Sequence, residues 1–166
     1  MTWRERANIV SPYGENLMMM TIQAMQAIYI DQIYAIEEQS FKTPWVRDFF
    51  VEEAENPNSI SLVACFDGVV AGYLCCRHIA DEGHIGNIAV APQFRKRGVA
   101  DAMLTALAAV AQSSQITALT LEVAANNIAA QKLYEKHAFV KEGVRKNYYA
   151  DIKQDAIIMW KYLDQS

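Results

Sequence analysis

The stretch from Ile88 to Asp101 constrains this chain more than any other. Ile88, Ala89 and Val90 are apolar and suited to an extended segment, and Pro92 stops it because proline cannot donate to a sheet ladder. From Asp101 onward, Met103, Leu104, Leu107, Ala108 and Val110 recur at helical spacing. A strand therefore passes through a basic turn, Arg95-Lys96-Arg97, into a helix that starts around Gly98, Val99, Ala100 and Asp101. Free N–H groups at a helix start, the positive end of its dipole and adjacent cations together bind phosphate oxygens. Gly98 lets a pyrophosphate come close to the backbone with no Cβ in the way. Alone, the pattern is shared with ordinary solvated helix starts. With the second half of the chain it predicts a pyrophosphate cradle and a nucleotide-cofactor enzyme.

That second half carries Leu119-Thr120-Leu121-Glu122-Val123, then Asn126-Asn127 and Ala130-Gln131-Lys132-Leu133-Tyr134-Glu135-Lys136-His137-Ala138-Phe139. The order strand, R-x-x-G-x-A, helix, L-E-V-x-x-x-N and A-x-x-L-Y-E-K-x-x-F resembles the GNAT family of acetyl-CoA-dependent N-acetyltransferases. The likeness covers about residues 18 to 163. Asn87 to Val90, Leu121 to Val123, Lys146-Asn147-Tyr148-Tyr149 and Asp155 to Met159 resemble a branch of that family acting on the N-terminal alanine of ribosomal protein S18. The resemblance implies an α/β fold, a mixed sheet of about seven strands with helices on both faces. It also implies acetyl-CoA as co-substrate and a peptide or protein N-terminus as partner.

The rest of the sequence agrees with one domain. At 166 residues the chain can bury one substantial core, and 52% hydrophobic residues exclude a disordered chain. No apolar run reaches the roughly 18 residues that span a bilayer, and the first residues lack a signal-like segment, so no membrane and a cytoplasmic location are expected. A net charge of −4 argues against direct nucleic-acid binding. His78, His84 and His137 show no ligand spacing, so no metal is expected. Cys65, Cys75 and Cys76 read as buried, reduced thiols, with Cys75 and Cys76 on opposite faces of one strand.

Residues 1 to 16 show no clear periodicity and read as a flexible or loosely docked extension; residues 17 to 166 read as the acetyltransferase domain. Strands are expected over about 17–25, 59–66, 69–79, 84–91, 116–123, 139–148 and 155–163. Asp67-Gly68 marks a hairpin, Glu82-Gly83 a turn, and Thr43-Pro44 the start of a helix reaching Glu55. Glu37, Glu38, Asp48, Glu52, Glu53 and Glu55 read as two solvated helix faces.

Acyl transfer from a thioester needs a neutral amine, and an α-amine with a pKa of about 8 loses its proton far more readily than a lysine at about 10.4. Glu122, the one acid in an apolar strand, is either the base or an edge charge facing water; the family places its base there. Tyr134 is a core aromatic or, by the family match, the acid that protonates the leaving thiolate. Asn127 caps a helix or serves the cofactor, as the family implies. The backbone of Ile88, Ala89 and Val90 is expected to line the pantetheine arm, where relatives splay two strands. Trp45 and Tyr148-Tyr149 are peptide-groove walls or plain surface aromatics. Two positions depart from the branch pattern: Ala124 stands in place of an arginine, and Ala138 in place of a glycine at a helix end that favours a left-handed residue. A transferase for other N-termini or small amines, or a non-catalytic acetyl-CoA binder, are the competing readings.

Overall fold

The computed structural model describes residues 3–6, 9–11 and 19–164. One eight-stranded sheet runs through it, in the order β1-β2-β3-β4-β5-β6-β8-β7. A short helix α1 (Trp3–Arg6) and strand β1 (Ile9–Ser11) come first, followed by β2 (Met20–Ala24). Helices α2 (Ile30–Ser40) and α3 (Arg47–Glu55) lead into β3 (Ser59–Phe66), β4 (Val69–Ile79) and β5 (Glu82–Val90). Then come α4 (Val99–Ser113), β6 (Ala118–Ala124), α5 (Ile128–Lys136), β7 (Val140–Tyr149) and β8 (Gln154–Tyr162). β5 and β6 are parallel and joined by α4, while the other neighbours are antiparallel. A mixed sheet with helices on both faces is what the sequence led us to expect.

Alternation on the strands builds a core on each face. Leu74, Cys76, Ile85, Leu119, Leu121 and Val123 pack with α4 and with Tyr134 of α5. Tyr73, Cys75 and Ala89 pack on the other face with Ile30, Ile33 and Ile36 of α2 and Phe50 of α3. Cys75 and Cys76 thus serve opposite cores, as alternation requires.

Four expectations need correction. The eighth strand comes from the stretch read as a flexible extension: Ile9–Ser11 pairs antiparallel with Met20–Ile22, and Arg4 donates to the carbonyl of Asn56 (3.1 Å). The remainder of that stretch lies outside the described residues. Thr43-Pro44 does not start α3; the helix begins at Arg47 after an extended Val46. The Thr43 hydroxyl instead donates to Asp151 (3.1 Å), and the Trp45 N–H to Glu37 (2.9 Å), so residues 41–46 cross the surface as a loop. The turn before β5 falls at Ala80-Asp81, with Ala80 at φ +54°, and Glu82-Gly83 is already strand. Finally, the acids of α2 and α3 are not all solvated, since Glu37 is 1% and Glu53 0% exposed.

Candidate active site

β5 and β6 pair over only four positions, Glu82–Ile85 against Ala118–Leu121. Beyond that point both strands continue, but apart. β5 stays paired with β4 up to Val90 and β6 with β8 up to Ala124. The edges of β5 and β6 facing each other therefore carry backbone groups that no strand satisfies. One residue makes the parting visible: consecutive Cys75 and Cys76 face Asn87 and Ile85, so Gly86 is an extra residue on β5. Such a bulge bends its strand and reverses which face the following side chains point to.

The parting opens a cleft of about 1110 Å³. Ile88, Ala89, Val90, Ala100, Glu122, Asn127 and Tyr134 line it, together with Trp45, His84, Tyr148 and Tyr149. Glu122 alternates with the inward Leu121 and Val123, so it projects toward the α2 face; Tyr134 belongs to the core on the α4–α5 face. The two candidate proton-transfer groups thus meet the cleft from opposite sides of the sheet.

β6 is an interior strand, which removes the edge-charge reading of Glu122. Its side chain is 10% exposed and lies 2.6 Å from Nε2 of His84 and 3.6 Å from Nε of Arg145. A carboxylate only accepts, so His84 Nε2 carries the hydrogen in this contact. The Tyr149 hydroxyl donates to the Glu122 carbonyl (3.0 Å), fixing the backbone as well. Sequence reasoning missed His84. Its signal was positional: parallel strands set His84 opposite Thr120, two residues from Glu122 and on the same face.

Tyr134 is 6% exposed, stands edge-on to Phe139 at 5.9 Å, and makes no side-chain hydrogen bond to a described residue. Burial, helped by the nearby Tyr149, pushes its phenol well above the ordinary value, so it holds its proton throughout the neutral range. Tyr149 is pushed up to about 12, mainly by burial.

A second hollow of about 450 Å³ adjoins the first and is lined by Arg95, Lys96, Gly98, Val99, Ala100 and Asp101. Gly98 takes φ +74° as N-cap of α4, and no side chain caps that end. Early N–H groups of α4 are therefore free to meet an anion, the fit an acetyl-CoA pyrophosphate requires. The free edge of β5 fits an amide-bearing pantetheine arm in the same way. The other candidates are placed differently. Arg97 lies over the Phe94 ring at 5.6 Å. The Asp101 carboxylate is taken by Lys136 (2.7 Å) and His137 (2.9 Å), leaving only its backbone N–H for a phosphate. Asn127 caps α5, its Oδ1 accepting from the Ala130 N–H at 3.2 Å.

A loop–hairpin contact completes the α2 side of the cleft. Besides the Thr43 contact, Lys42 Nζ donates to the Asp151 carbonyl at 3.3 Å. The β7–β8 hairpin is thereby joined to the loop that carries Trp45, and Tyr148 and Tyr149 stand edge-on at 5.0 Å beside it. All three aromatics line the cleft, which favours the groove-wall reading over plain surface residues.

Comparison with known proteins agrees with this geometry. Residues 30–139 match the family model described as "Acetyltransferase (GNAT) family". The chain is 36% identical over 145 residues to a Bacillus subtilis (strain 168) protein provisionally named a ribosomal protein bS18-alanine N-acetyltransferase, covering 87% of this chain and 96% of the relative. It is 31% identical over 143 residues to the enzyme of that name from Escherichia coli (strain K12), covering 85% and 96%. Among solved structures, the Escherichia coli ribosomal-protein-S18-alanine N-acetyltransferase superposes with a TM-score of 0.83 at 29% identity, over 89% of this chain and 96% of that one. Ard1 from Thermoplasma volcanium gives 0.82 at 25%, over 87% and 98%.

Proposed function

Because this chain belongs to the acetyltransferase (GNAT) family, and is an acetyl-CoA-dependent N-acetyltransferase, we propose that it acetylates the N-terminal alanine of ribosomal protein bS18, with Glu122 as base and Tyr134 as acid. The observation that carries the reading is one cleft through the sheet with Glu122 on one face and Tyr134 on the other. Acetyl-CoA, when bound, supplies an acyl group activated as a thioester. Ile88, Ala89 and Val90 offer backbone amides to its arm, and the α4 start with Arg95 and Lys96 offers donors to its phosphates.

The acceptor enters from the α2 face, between Trp45 and the Tyr148-Tyr149 pair. An α-amine loses its proton near pH 8, so a carboxylate working through a water is a sufficient base. Glu122 takes that proton, and His84 and Arg145 hold its oxygens in place. Tyr134 keeps its phenolic proton until a sulfur anion requires it, and then gives it up. The step balances from the ammonium form: two protons leave the nitrogen, one through Glu122 before the C–N bond forms and one as the C–S bond breaks. The sulfur gains one from Tyr134, so that one proton in all goes to solvent once Tyr134 is reprotonated.

The relatives' names support the acceptor. The test is mass spectrometry of bS18 from cells with and without this protein, together with acetylation of a synthetic bS18 N-terminal peptide by the purified chain. An unmodified peptide under saturating acetyl-CoA excludes this acceptor.

A further inference from the structure

Glu37 and Glu53 are buried carboxylates that the proton transfers leave unused. Glu53 is tied to Ser61 (3.0 Å) and to Arg77, away from the cleft. Glu37 is different, because every group it holds belongs to a wall of the cleft or to the strand backing it. Oε1 accepts from the Trp45 backbone N–H at 2.9 Å. Oε2 accepts from Asn87 Nδ2 at 2.8 Å and from the Tyr73 hydroxyl, and Asn87 Nδ2 also reaches Tyr73 (3.2 Å).

Three segments distant in sequence converge on this carboxylate. Trp45 lies near the end of the loop between α2 and α3. Asn87 follows the Gly86 bulge, and the bulge is what turns Asn87 toward α2: Ile85 packs in the α4 core, whereas Ala89, after the extra residue, packs with α2. Tyr73 belongs to β4 and pairs with Ala89. The outcome is visible at Gly86, where an added Cβ would lie only 3.1 Å from Trp45 Cη2, so the indole rests against the strand backbone where β5 leaves β6.

Resting on the reading of this cleft as an N-acetyltransferase site with its acceptor on the α2 face, we propose that Glu37 is a positioning residue for that half: it clamps Trp45 and the bulged edge of β5 together and so sets the acceptor channel. The phosphates of acetyl-CoA, met by α4 and the basic turn, do not depend on it, and the Ile88–Val90 backbone that meets the pantetheine arm is held by its own pairing with Leu74, Tyr73 and Gly72 of β4. A buried carboxylate group whose two oxygens accept from three donors fits this task better than an amide. Glu37→Gln keeps the size but replaces one acceptor oxygen with a donor, which then opposes either the Trp45 N–H or the Asn87 amide.

The experiment is steady-state kinetics of the full chain and its Glu37→Gln variant on the synthetic bS18 N-terminal peptide, with calorimetry for acetyl-CoA. The expected result is a rise of about tenfold or more in the peptide KM while the acetyl-CoA Kd moves less than about twofold. A folded variant with unchanged peptide KM, or with both substrates weakened alike, overturns the proposal. Asn87→Ala removes one arm only, and should raise the peptide KM by about threefold or more if Glu37→Gln does not fold; an unchanged KM there has the same overturning force. Failure of the wild-type chain on that peptide would count against the acceptor assignment alone. Glu37 is then tested by Trp45 emission in a Trp3→Phe, Trp160→Phe background: a red shift on adding Glu37→Gln supports the clamp, and an unmoved spectrum overturns it.

Discussion

His84 Nε2 and Glu122 Oε2 stand 2.6 Å apart, joined across β5 and β6 just where the two strands stop pairing. The carboxylate is thereby aimed along the α2 face of the cleft instead of swinging with solvent.

Glu122→Gln keeps that shape and removes the proton acceptor. Turnover should fall about a hundredfold or more, the usual scale for a lost general base. The acetyl-CoA Kd and the melting temperature should hardly move, because the phosphate donors lie at α4. Steady-state kinetics with calorimetry checks this, and a variant that unfolds instead would make Glu122 structural.

Tyr134→Phe deletes one hydroxyl from a side chain whose ring is already packed on Phe139. Since that hydroxyl makes no hydrogen bond to a described residue, stability should stay near wild type. Turnover should fall by about a hundredfold, with acetyl-CoA affinity little changed. Unchanged turnover at saturating substrates would remove Tyr134 from the mechanism.

Ala138 sits at φ +65° just past His137, the C-cap of α5, with the Phe139 N–H donating to the Tyr134 carbonyl at 3.0 Å. This is a left-handed helix end occupied by a residue that pays for its Cβ. Ala138→Gly should stabilise the fold by about 1 kcal/mol, raising the melting temperature by roughly 2–4 °C. Calorimetry that shows no gain would mean the greater freedom of glycine in the unfolded chain cancels the relief.

Burial pushes the Cys65 thiol up to about 11 and the Cys76 thiol up to about 12, and holds Cys75 well above its ordinary value. Only the thiolate reacts, and shifts of this size leave very little of it near neutral pH. At pH 8 the native protein should be inert to an aromatic disulfide reagent, with all three thiols reacting after denaturation. Rapid titration of a native thiol would contradict the packing of β3 and β4.

What could be read beforehand was chemistry written in neighbouring residues. Asp67-Gly68 marked a hairpin because both positions take positive φ, +47° and +81°, a demand that shows in residue type. The strand, basic turn and Gly98 helix start were legible for the same reason. Long-range contacts were not. Thr43-Pro44 has a sound helix-start pattern, but its hydroxyl is spent on Asp151, 108 positions away. Glu37 and Glu53 looked solvated because their partners Tyr73, Asn87, Ser61 and Arg77 come from other strands. A trace existed nonetheless: Glu37 lies four residues after Ile33 and Glu53 three after Phe50, each on its helix's buried stripe. His84 was set aside for lacking metal spacing, when its neighbour was fixed by parallel strand register.

The parting of β5 and β6 also bears on how long the protein lasts. A sheet with an open seam at its centre leaves backbone donors and acceptors to water in the apo form, and whatever ligand closes the seam binds only the folded state. At a hundred times its Kd such a ligand adds about 2.7 kcal/mol of stability. An increment of that size changes how often a chain exposes itself to proteases. Acetyl-CoA should therefore slow proteolysis of the folded chain as well as feed its reaction.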